Sequence, residues 1–322
     1  MRVVFMGTPD FAVGTLEAIA AAGHEIPGVV TQPDKQKGRG KQIQPTPVKE
    51  AALRLGLPVY QPAKVRDPEF IRGLEELQPE VIVVAAFGQI IPQAILDLPK
   101  YGCVNVHASL LPAYRGAAPI QWAVINGEEE SGVTIMQMDA GLDTGDMLTK
   151  VVVPLEREET GGSLFEKLSQ AGAKLLVETL EKLEAGTVVP EKQPEESTTE
   201  YARMIKKEDG KIDWSRNAAE IERLIRGMNP WPSAYTKLNG KIVKIWKARV
   251  MALIGGDLFA ALPGQDPKKH AGEIWAADES GIHVRTGDGI LVIEELQMEG
   301  KKRMAVQDFL RGHKIEAGSR FE

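Results

Sequence analysis

The sequence predicts a two-domain protein in which a doubly wound α/β domain is followed by a small antiparallel β-barrel. Three observations support this prediction. Short runs rich in Val and Ile alternate with helical patterns over residues 1–188, and short strand-like runs separated by glycine turns follow in residues 206–322. The length of 322 residues also exceeds that of a typical single domain.

The first part alternates strand and helix in the manner that builds a parallel sheet. Its strand-like runs are Arg2–Met6, Ile26–Thr31, Val81–Ala86, Gly102–Val106 and Val133–Met138. Because these runs are almost continuously apolar, we expect strands that are buried on both faces of a parallel sheet. Helical patterns such as Asp10–Ala22 and Pro68–Leu77 lie between them. The alternation predicts a Rossmann-like, mostly parallel sheet with helices on its faces.

The last helix of this part has the clearest pattern. Its start is predicted at Ser163-x-x-Glu166, the arrangement of a capping box, and Gly186 is expected to end it. The apolar positions between these signals fall at helical spacing: Leu164, Leu168, Leu175, Leu176, Leu180 and Leu183.

Residues 189–205 are polar and contain prolines, so we expect a surface linker between a domain of residues 1–188 and a domain of residues 206–322. A short helical pattern at Ala218–Met228 opens the second domain. Two strand-like runs, Tyr235–Leu238 and Ile242–Val250, then flank Asn239-Gly240, a strong hairpin signal. Further short runs follow at Glu273–Ala277, Gly281–Thr286 and Ile290–Leu296. Short strands with glycine turns predict an OB-like barrel.

Composition narrows the class of protein. No apolar run approaches the roughly 20 residues that cross a bilayer, and the start MRVVFMGTPDF lacks the apolar core of a signal peptide. We therefore expect a cytoplasmic protein without a membrane partner. The single cysteine, Cys103, excludes an internal disulfide and a Cys-rich zinc site. Because His24, His270, His283 and His313 also lack metal-ligand spacing, no metal is expected. Nothing in the sequence requires an oligomer, and a monomer is expected.

The net charge of −6 is unevenly distributed. Residues 1–200 hold 18 Lys and Arg against 28 Asp and Glu, a net charge of −10, whereas residues 201–322 hold 21 against 17, a net charge of +4. A polyanionic partner and an ordinary solvated surface would both explain the basic second part, so the charge alone decides nothing.

The stretch from Cys103 to Asp146 carries the chemistry. Side chains alternate faces along a strand, so Asn105, His107 and Ser109 point one way from an otherwise apolar strand. Burying such groups without partners costs about 1–3 kcal/mol each, and ligands of open α/β sheets bind beyond the carboxyl ends of strands. Asp143 lies in a glycine-flanked loop after the next strand, where it can approach His107. The three polar residues predict a catalytic cluster.

These residues resemble the folate-dependent formyltransferase family. Asn-x-His-x-Ser-Leu-Leu-Pro, Tyr-Arg-Gly and Leu-Asp-Thr-Gly carry that resemblance. Further signatures make the sequence similar to the members that formylate methionyl initiator tRNA: Gly7-Thr8-Pro9-Asp10-Phe11, Thr31-Gln32-Pro33-Asp34, Gly38-Arg39-Gly40-Lys41, Gly116-Ala117-Ala118-Pro119-Ile120-Gln121 and Asn229-Pro230-Trp231-Pro232. The resemblance extends from Arg2 to about Phe309, nearly the whole chain.

The resemblance implies specific roles. Asn105, His107 and Asp143 would be catalytic, in the transfer of a formyl group from 10-formyltetrahydrofolate to the amino group of methionyl initiator tRNA. The folate would be bound by two segments, Ser109-Leu110-Leu111-Pro112 and Phe87-Gly88-Gln89-Ile90. The product would be the N-formylated aminoacyl-tRNA that starts translation.

Two groups of basic residues are candidates for tRNA binding. Lys37, Arg39 and Lys41 lie in a glycine-rich loop that resembles the tRNA-contacting loop of the family. A mobile solvated loop is the alternative for that segment. In the second domain the candidates are Lys206, Lys207, Lys244 and Lys247, with Lys237, Lys241 and Arg249 nearby. Odd and even positions are mixed in the hairpin, so a single basic face does not follow from the alternation alone.

Other functions remain open from the residues alone. A formyltransferase for a small amino substrate would share the cluster but leave the basic segments unexplained. A hydrolase could use Ser109, His107 and Asp143 as a triad, although a serine and a histidine two residues apart on one strand are awkwardly placed for it. A formate-releasing folate hydrolase would share all three polar residues, and a non-catalytic tRNA-binding protein would not need them.

Overall fold

The protein is described by a computed structural model that covers residues 1–37, 42–251 and 267–322. Two compact units are distinguished by their internal contacts. Unit 1 comprises Met1–Pro119, Glu129–Leu155 and Leu164–Arg203. Unit 2 comprises Ile120–Glu128, Glu156–Ser163 and Met204–Glu322. Each unit is built on its own sheet.

The strands up to residue 154 are β1 (Arg2–Gly7), β2 (Glu25–Val30), β3 (Lys35–Lys37), β4 (Gln42–Gln44), β5 (Val59–Tyr60), β6 (Val81–Ala85), β7 (Cys103–His107), β8 (Glu130–Gln137) and β9 (Met147–Pro154). The helices up to residue 184 are α1 (Asp10–Ala21), α2 (Pro47–Arg54), α3 (Pro68–Glu76), α4 (Gln93–Leu96), α5 (Pro119–Asn126) and α6 (Gly161–Glu184). Within the described residues, seven of these strands form one sheet in the order β5-β2-β1-β6-β7-β8-β9.

The centre of this sheet is parallel, which confirms the Rossmann-like prediction. β1 pairs in parallel with β2 and β6, and β6 pairs in parallel with β7. The five residues of β6 are buried, in agreement with a strand covered on both faces. Because the three central strands run the same way, Gly7, Ala85 and His107 end them at one edge of the sheet. The loops that follow those strands therefore meet at that edge.

The prediction that Val133–Met138 is a parallel strand is wrong. β8 runs antiparallel to β7, with Val104 opposite Gln137 and His107 opposite Thr134. β9, which the sequence patterns did not predict, pairs antiparallel with β8. Continuous apolar character reports burial on both faces but not strand direction. After two buried residues, β9 alternates partly buried and exposed residues, as an edge strand does.

The capping box predicted at Ser163 and Glu166 is also wrong. α6 begins two residues earlier, at Gly161. The Thr160 hydroxyl accepts from the Ser163 backbone amide at 3.0 Å, and the Ser163 hydroxyl accepts from the Thr160 backbone amide at 3.0 Å. The reciprocal bonds of a capping box are therefore made by the pair Thr160 and Ser163, one turn earlier than predicted.

Unit 2 is built on an antiparallel sheet. Its later elements are α7 (Ala218–Gly227), β10 (Ala234–Leu238), β11 (Lys241–Val250), β12 (Ile274–Asp278), β13 (Gly281–Arg285), β14 (Ile290–Met298), β15 (Met304–Ala305) and α8 (Val306–Gly312). The sheet order is β10-β11-β14-β13-β12, and β15 pairs with β14. Asn239 and Gly240 both have positive φ, as the predicted hairpin turn requires.

Residues 318–322 link the two ends of this sheet. Phe321 forms a bridge with Leu238 at the end of β10, and Arg320 forms one with Glu273 next to β12. The Ile274 amide donates to the Ser319 carbonyl at 2.7 Å, and the Glu322 amide donates to the Lys237 carbonyl at 3.0 Å. These contacts agree with the barrel that the sequence predicts.

We expect Phe321→Ala to destabilise unit 2 by about 3–5 kcal/mol, the usual cost of removing a buried aromatic ring. The Phe321 side chain is buried and its ring stacks on Trp214 with centroids 5.5 Å apart. Urea unfolding followed by tryptophan fluorescence measures this loss. Glu322→Gln, which leaves these contacts intact, should unfold like the wild type, and an unchanged midpoint for Phe321→Ala would contradict the closing role of this segment.

Candidate active site

Asn105 and His107 lie on β7 with their side chains on the same face, as the strand alternation predicts. His107 is buried, whereas Asn105 is partly exposed. Among the residues that the structure describes, none hydrogen-bonds to the side-chain amide of Asn105. An amide that is partly buried and has no protein partner is able to bind a ligand, because such a group otherwise loses free energy relative to water.

One nitrogen of the His107 ring already makes a hydrogen bond within the protein. Its Nε2 lies 3.0 Å from the carbonyl oxygen of Tyr114, which can only accept, so Nε2 carries a hydrogen and donates. Nδ1 lies 3.7 Å from Oδ1 of Asp143, within ion-pair distance but too far for a direct hydrogen bond. Nδ1 is therefore the ring atom that remains for a substrate or a water molecule.

Asp143 reaches His107 by a route that the strand pattern did not indicate. Because β8 is antiparallel, its carboxyl end lies beside the start of β7 rather than beside His107. The β8–β9 connection must therefore return along the sheet before Asp143 meets the imidazole. Oδ2 of Asp143 accepts from the Gly116 amide at 2.9 Å, which leaves Oδ1 to face His107. The sequence identified the partner correctly, but not the path.

The loop after β7 holds the residues expected at the folate site. Ser109 and Leu111 are each 1% exposed, while Leu110 and Pro112 are partly exposed. The Ser109 hydroxyl donates to the Ala113 carbonyl at 2.6 Å, and Leu111 packs against Met136 and Met147. The buried side chains of Ser109 and Leu111 therefore stabilise the loop conformation. Leu110 and Pro112 are the residues of this segment whose exposed surface can contact a ligand.

The loop Phe87–Ile90 follows β6 at the same edge of the sheet. The Phe87 ring is buried in the core, and the Gln89 side chain accepts from the Val65 amide at 3.0 Å. Gln32 donates to the carbonyls of Phe87 and Gly88 at 3.2 and 3.0 Å. Ile90 is 77% exposed. In the described part of the chain no group accepts a hydrogen bond from the backbone amides of Gly88, Gln89 or Ile90. This edge of the sheet therefore offers backbone donors and the apolar side chain of Ile90.

Of the three basic residues expected in the glycine-rich loop, Arg39 and Lys41 lie outside the described residues. Lys37 ends β3, which forms a hairpin with β4. The base of this hairpin is fixed by Asp34, whose carboxylate accepts from Lys49 at 2.6 Å and from Gln61 at 2.7 Å. The hydrogen bond from Lys49, then that from Gln61, holds the pKa of Asp34 below its ordinary value.

Two basic candidates of unit 2, Lys244 and Lys247, lie on β11. The register of β11 shifts between Ile245 and Ala248, so that Lys247 is exposed while Val243, Ile245 and Ala248 are buried. This shift brings odd and even basic positions to the same side. The Lys244 ammonium lies 5.7 Å from the centre of the Trp246 ring.

Neighbouring carboxylates distinguish the basic candidates. The Lys247 ammonium lies 3.6 Å from Glu294, and Arg249 lies 3.0 Å from the same carboxylate, so both charges are partly neutralised. Lys206 and Lys207 are exposed at the start of a single turn of 3-10 helix (Lys207–Gly210).

The residues that sequence reasoning missed are those that orient the cluster. Tyr114 supplies the carbonyl for His107, and Gly116 supplies the amide for Asp143. Both have positive φ, of 56° and 121°. The Tyr-Arg-Gly signature contains both residues. Their roles could not be predicted from it, because they act through backbone groups and not through their side chains. Gln193, described below, gave no signal at all.

Two further structural findings concern classes of site. In the described ranges no helix is long and apolar enough to cross a membrane. Within the same ranges, no group of three or more His, Cys, Asp or Glu side chains is arranged to hold a metal ion. A cavity of about 620 Å³ lies between β5 and α3, lined by residues that include Tyr60, Asp67 and Phe70, and it contains none of the cluster residues.

Comparison with known protein families identifies the class of protein to which this fold belongs. Residues 1–180 match the family model described as formyl transferase, and residues 204–314 match the model described as formyl transferase, C-terminal domain. The chain therefore belongs to the formyl transferase family.

Its similar curated relatives are methionyl-tRNA formyltransferases. The protein of that name from Agathobacter rectalis is 56% identical over 321 residues, which cover 100% of this chain and 99% of the relative. The one from Clostridioides difficile is 51% identical over 318 residues and covers 99% of each chain.

Solved structures share the fold. The N-formyltransferase from Helicobacter canadensis, in complex with folinic acid and dTDP-3-aminofucose, superposes with a TM-score of 0.65 at 20% identity, over 92% of this chain and 99% of that one. HypX from Aquifex aeolicus in complex with tetrahydrofolic acid superposes with a TM-score of 0.61 at 18% identity, over 99% of this chain and 50% of that one.

We expect Lys49→Met to raise the pKa of Asp34 towards its ordinary value of 3.8, because it removes the main cause of the lowered value. A lowered carboxyl pKa adds stability that is present above the ordinary value and is lost as the pH falls through the folded value. Lys49→Met should therefore show a weaker loss of stability below pH 3.8. Carbon NMR titration of the Asp34 carboxyl measures the pKa, with Lys64→Met as the control. An unchanged Asp34 titration would contradict the assigned partner.

Proposed function

We propose that this chain transfers the formyl group of 10-formyltetrahydrofolate to the amino group of methionyl initiator tRNA, giving the N-formylmethionyl-tRNA that starts translation. Full-length similarity above 50% to proteins named methionyl-tRNA formyltransferase carries the proposal. Asn105, His107 and Asp143 are the proposed catalytic residues. We further propose that the chain acts as a monomer in the cytoplasm, where charged tRNA is used.

Features of unit 1 fit a folate at the edge where β6 and β7 end. The amides of Gly88, Gln89 and Ile90 have no partner in the described part of the chain and are suited to the polar edge of a pterin ring. Ile90 and Leu110 supply apolar surface. The folate supplies the formyl group on a nitrogen that can leave. Phe87, Gln89, Ser109 and Leu111 would act by fixing these loops, and Pro112 would line the site.

The reaction does not require a nucleophile from the protein. An unperturbed α-amino group has a pKa of about 7.7–8.0, so near neutral pH a useful fraction is already the attacking free base. Cys103 is unsuited to nucleophilic attack, because burial raises the pKa of its thiol to about 12. The protein has instead to stabilise the charge on the formyl oxygen and to move one proton.

Asn105 is suited to the first task. Its side-chain amide has no partner in the described part of the chain, so it can donate to the formyl oxygen as negative charge develops there. His107 can donate from Nδ1, since Nε2 is held by Tyr114. The Asp143 carboxylate, 3.7 Å from that atom, would stabilise the charged imidazole.

The second task is a proton transfer. As the amine nitrogen bonds to the formyl carbon it becomes positive and must lose a proton, while the folate nitrogen takes up the electron pair of the broken bond and needs one. The gap of 3.7 Å between His107 and Asp143 leaves a position at which a water molecule could bridge them. We propose that Asp143 takes the amine proton, directly or through such a water, for delivery to the leaving nitrogen.

Residues 1–188 form the proposed catalytic domain, residues 189–205 the linker and residues 206–322 the tRNA-binding domain. We propose that Lys37, Arg39 and Lys41 bind tRNA phosphates. Lys206, Lys207 and Lys244 are proposed contacts of the second domain. Lys247 remains a candidate, but its contact with Glu294 would have to be exchanged for a phosphate.

The serine hydrolase alternative conflicts with the hydrogen bonds of the site. A triad requires the serine hydroxyl to donate to the histidine. The Ser109 hydroxyl instead donates to Ala113, and His107 Nε2 is taken by Tyr114. Ser109 is also only 1% exposed. A formate-releasing hydrolase and a transferase for a small amine would both retain the cluster, so they are separated by the choice of acceptor.

The proposed reaction is tested with purified protein, 10-formyltetrahydrofolate labelled in the formyl group, and methionine-charged initiator tRNA. Label should appear in RNA-bound methionine, and uncharged tRNA and the His107→Ala variant should give none. Folate consumption without label in the RNA would instead support a hydrolase or a small acceptor and would refute the proposal.

We expect Asn105→Ala to lower kcat by about 10²–10³-fold, the usual effect of removing one donor to a developing oxyanion. Asn105→Asp, which keeps the shape but replaces the donor with an acceptor, should lose at least as much. Single-turnover formyl transfer at saturating substrates measures both. A loss below about threefold in Asn105→Ala would exclude the proposed role.

A further inference from the structure

Residues 191–202, which we call the strap, run along the two loops that hold the cluster in unit 1. One end is fixed by a pair of backbone hydrogen bonds between Glu191 and Met147, each 2.8 Å long. At the other end the Ala202 amide donates to the Arg115 carbonyl at 2.8 Å, and the Ala202 carbonyl accepts from Ala118 at 3.0 Å. The segment expected to be a surface linker is therefore hydrogen-bonded to the site.

Gln193 is the strap residue whose side chain hydrogen-bonds to the backbone of the loop that carries Asp143. Its Nε2 donates to the carbonyl of Asp143 at 2.9 Å and to the carbonyl of Gly145 at 2.7 Å. Asp143 has a positive φ of 57°, an unfavourable backbone conformation for a residue with a side chain. The two bonds hold the loop in this conformation, which turns the carboxylate towards Gly116 and His107.

Arg115 sets the orientation of the Gln193 amide. Its Nε donates to Oε1 of Gln193 at 3.0 Å, so the amide nitrogen must point to the Asp143 loop. The other guanidinium nitrogens donate to the carbonyls of Pro194 and Glu195 at 2.7 and 3.0 Å. Arg115 is 8% exposed, and these three acceptors provide hydrogen-bond partners for its buried guanidinium.

The strap also holds the backbone around the His107 partner. The Thr199 hydroxyl accepts from the Tyr114 amide at 2.7 Å, and the Tyr114 carbonyl accepts from His107. The strap passes so close to Gly116 that a Cβ there would lie 2.7 Å from the Ala202 carbonyl. The strap therefore bonds directly to Asp143 through Gln193, and it is linked to His107 through one intervening residue, Tyr114.

We propose that Gln193 is a positioning residue for the transfer reaction, which sets the distance and direction of Asp143 relative to His107 without touching a substrate. The inference rests on the proposed function for its kinetic readout. Without the Gln193 amide the Asp143 loop loses two donors and can relax from positive φ, and small displacements of a catalytic group cost about 10²-fold in rate. Substrate binding surfaces in the other loops would be untouched.

The first experiment compares Gln193→Ala with Glu196→Gln, a substitution of an exposed side chain on the same strap. We expect Gln193→Ala to lower kcat about 10- to 100-fold while KM for folate and for tRNA stays within about twofold. Glu196→Gln should retain wild-type values. Wild-type kcat in Gln193→Ala, or a loss confined to KM, would overturn the inference.

A double-mutant cycle separates positioning from a general structural role. If Gln193 acts through Asp143, Gln193→Ala should change the single-turnover rate less than twofold in an Asp143→Ala background. The same fold loss in both backgrounds would overturn the inference.

A third readout does not depend on formyl transfer. In the free protein, the ring nitrogen resonances of His107, assigned with His107→Asn, should move in Gln193→Ala in the same direction as in Asp143→Ala. They should stay in place in Glu196→Gln. Unmoved resonances in Gln193→Ala would overturn the inference even for a chain that proved inactive on methionyl-tRNA, whereas inactivity of the wild type would refute only the proposed function.

Discussion

The loops of the site have no regular secondary structure, so their backbone amides and carbonyls must find other partners. An unpaired buried group costs about 1–3 kcal/mol, which makes this constraint strict. The proposed catalytic side chains provide two of these hydrogen-bond partners. His107 gives Nε2 to the Tyr114 carbonyl, and Asp143 gives Oδ2 to the Gly116 amide. Each side chain keeps one atom for chemistry, and the atom used by the loop fixes the direction of the other.

The residues of the proposed cluster could be predicted from the sequence, because they were recognised by the chemistry of their side chains. Alternation along β7 placed Asn105 and His107 on one face, and the loop signature supplied Asp143. The path of Asp143 was not readable, since apolar patterns report burial but not whether β8 runs parallel or antiparallel. The start of α6 was misplaced for a related reason: Thr160 and Ser163 are both good capping residues, and only the backbone shows which hydrogen bonds form.

The basic face of unit 2 shows a similar limit. Simple alternation separated Lys244 from Lys247, but the bulged register of β11 leaves Lys244 partly exposed and Lys247 exposed, while Val243, Ile245 and Ala248 are buried. Their surroundings then differ, because Glu294 accompanies Lys247 whereas the Trp246 ring accompanies Lys244. A bulge and a cross-strand carboxylate are properties of the folded sheet. Charge counts therefore located the basic unit without indicating which lysines carry accessible charge.

The bridges made by Arg320 and Phe321 have a consequence for the order in which the protein matures during synthesis. Unit 1 has all its residues once the ribosome has added residue 203, and domains tend to fold as they emerge. Unit 2 lacks the residues that join β10 to the β12 side until residue 321 is made. A growing chain therefore passes through a stage in which the strap can already hold the loops of the proposed site, while β10 and β12 of the second sheet are not yet joined. The exposed strand edges available to chaperones at this stage would therefore lie in unit 2.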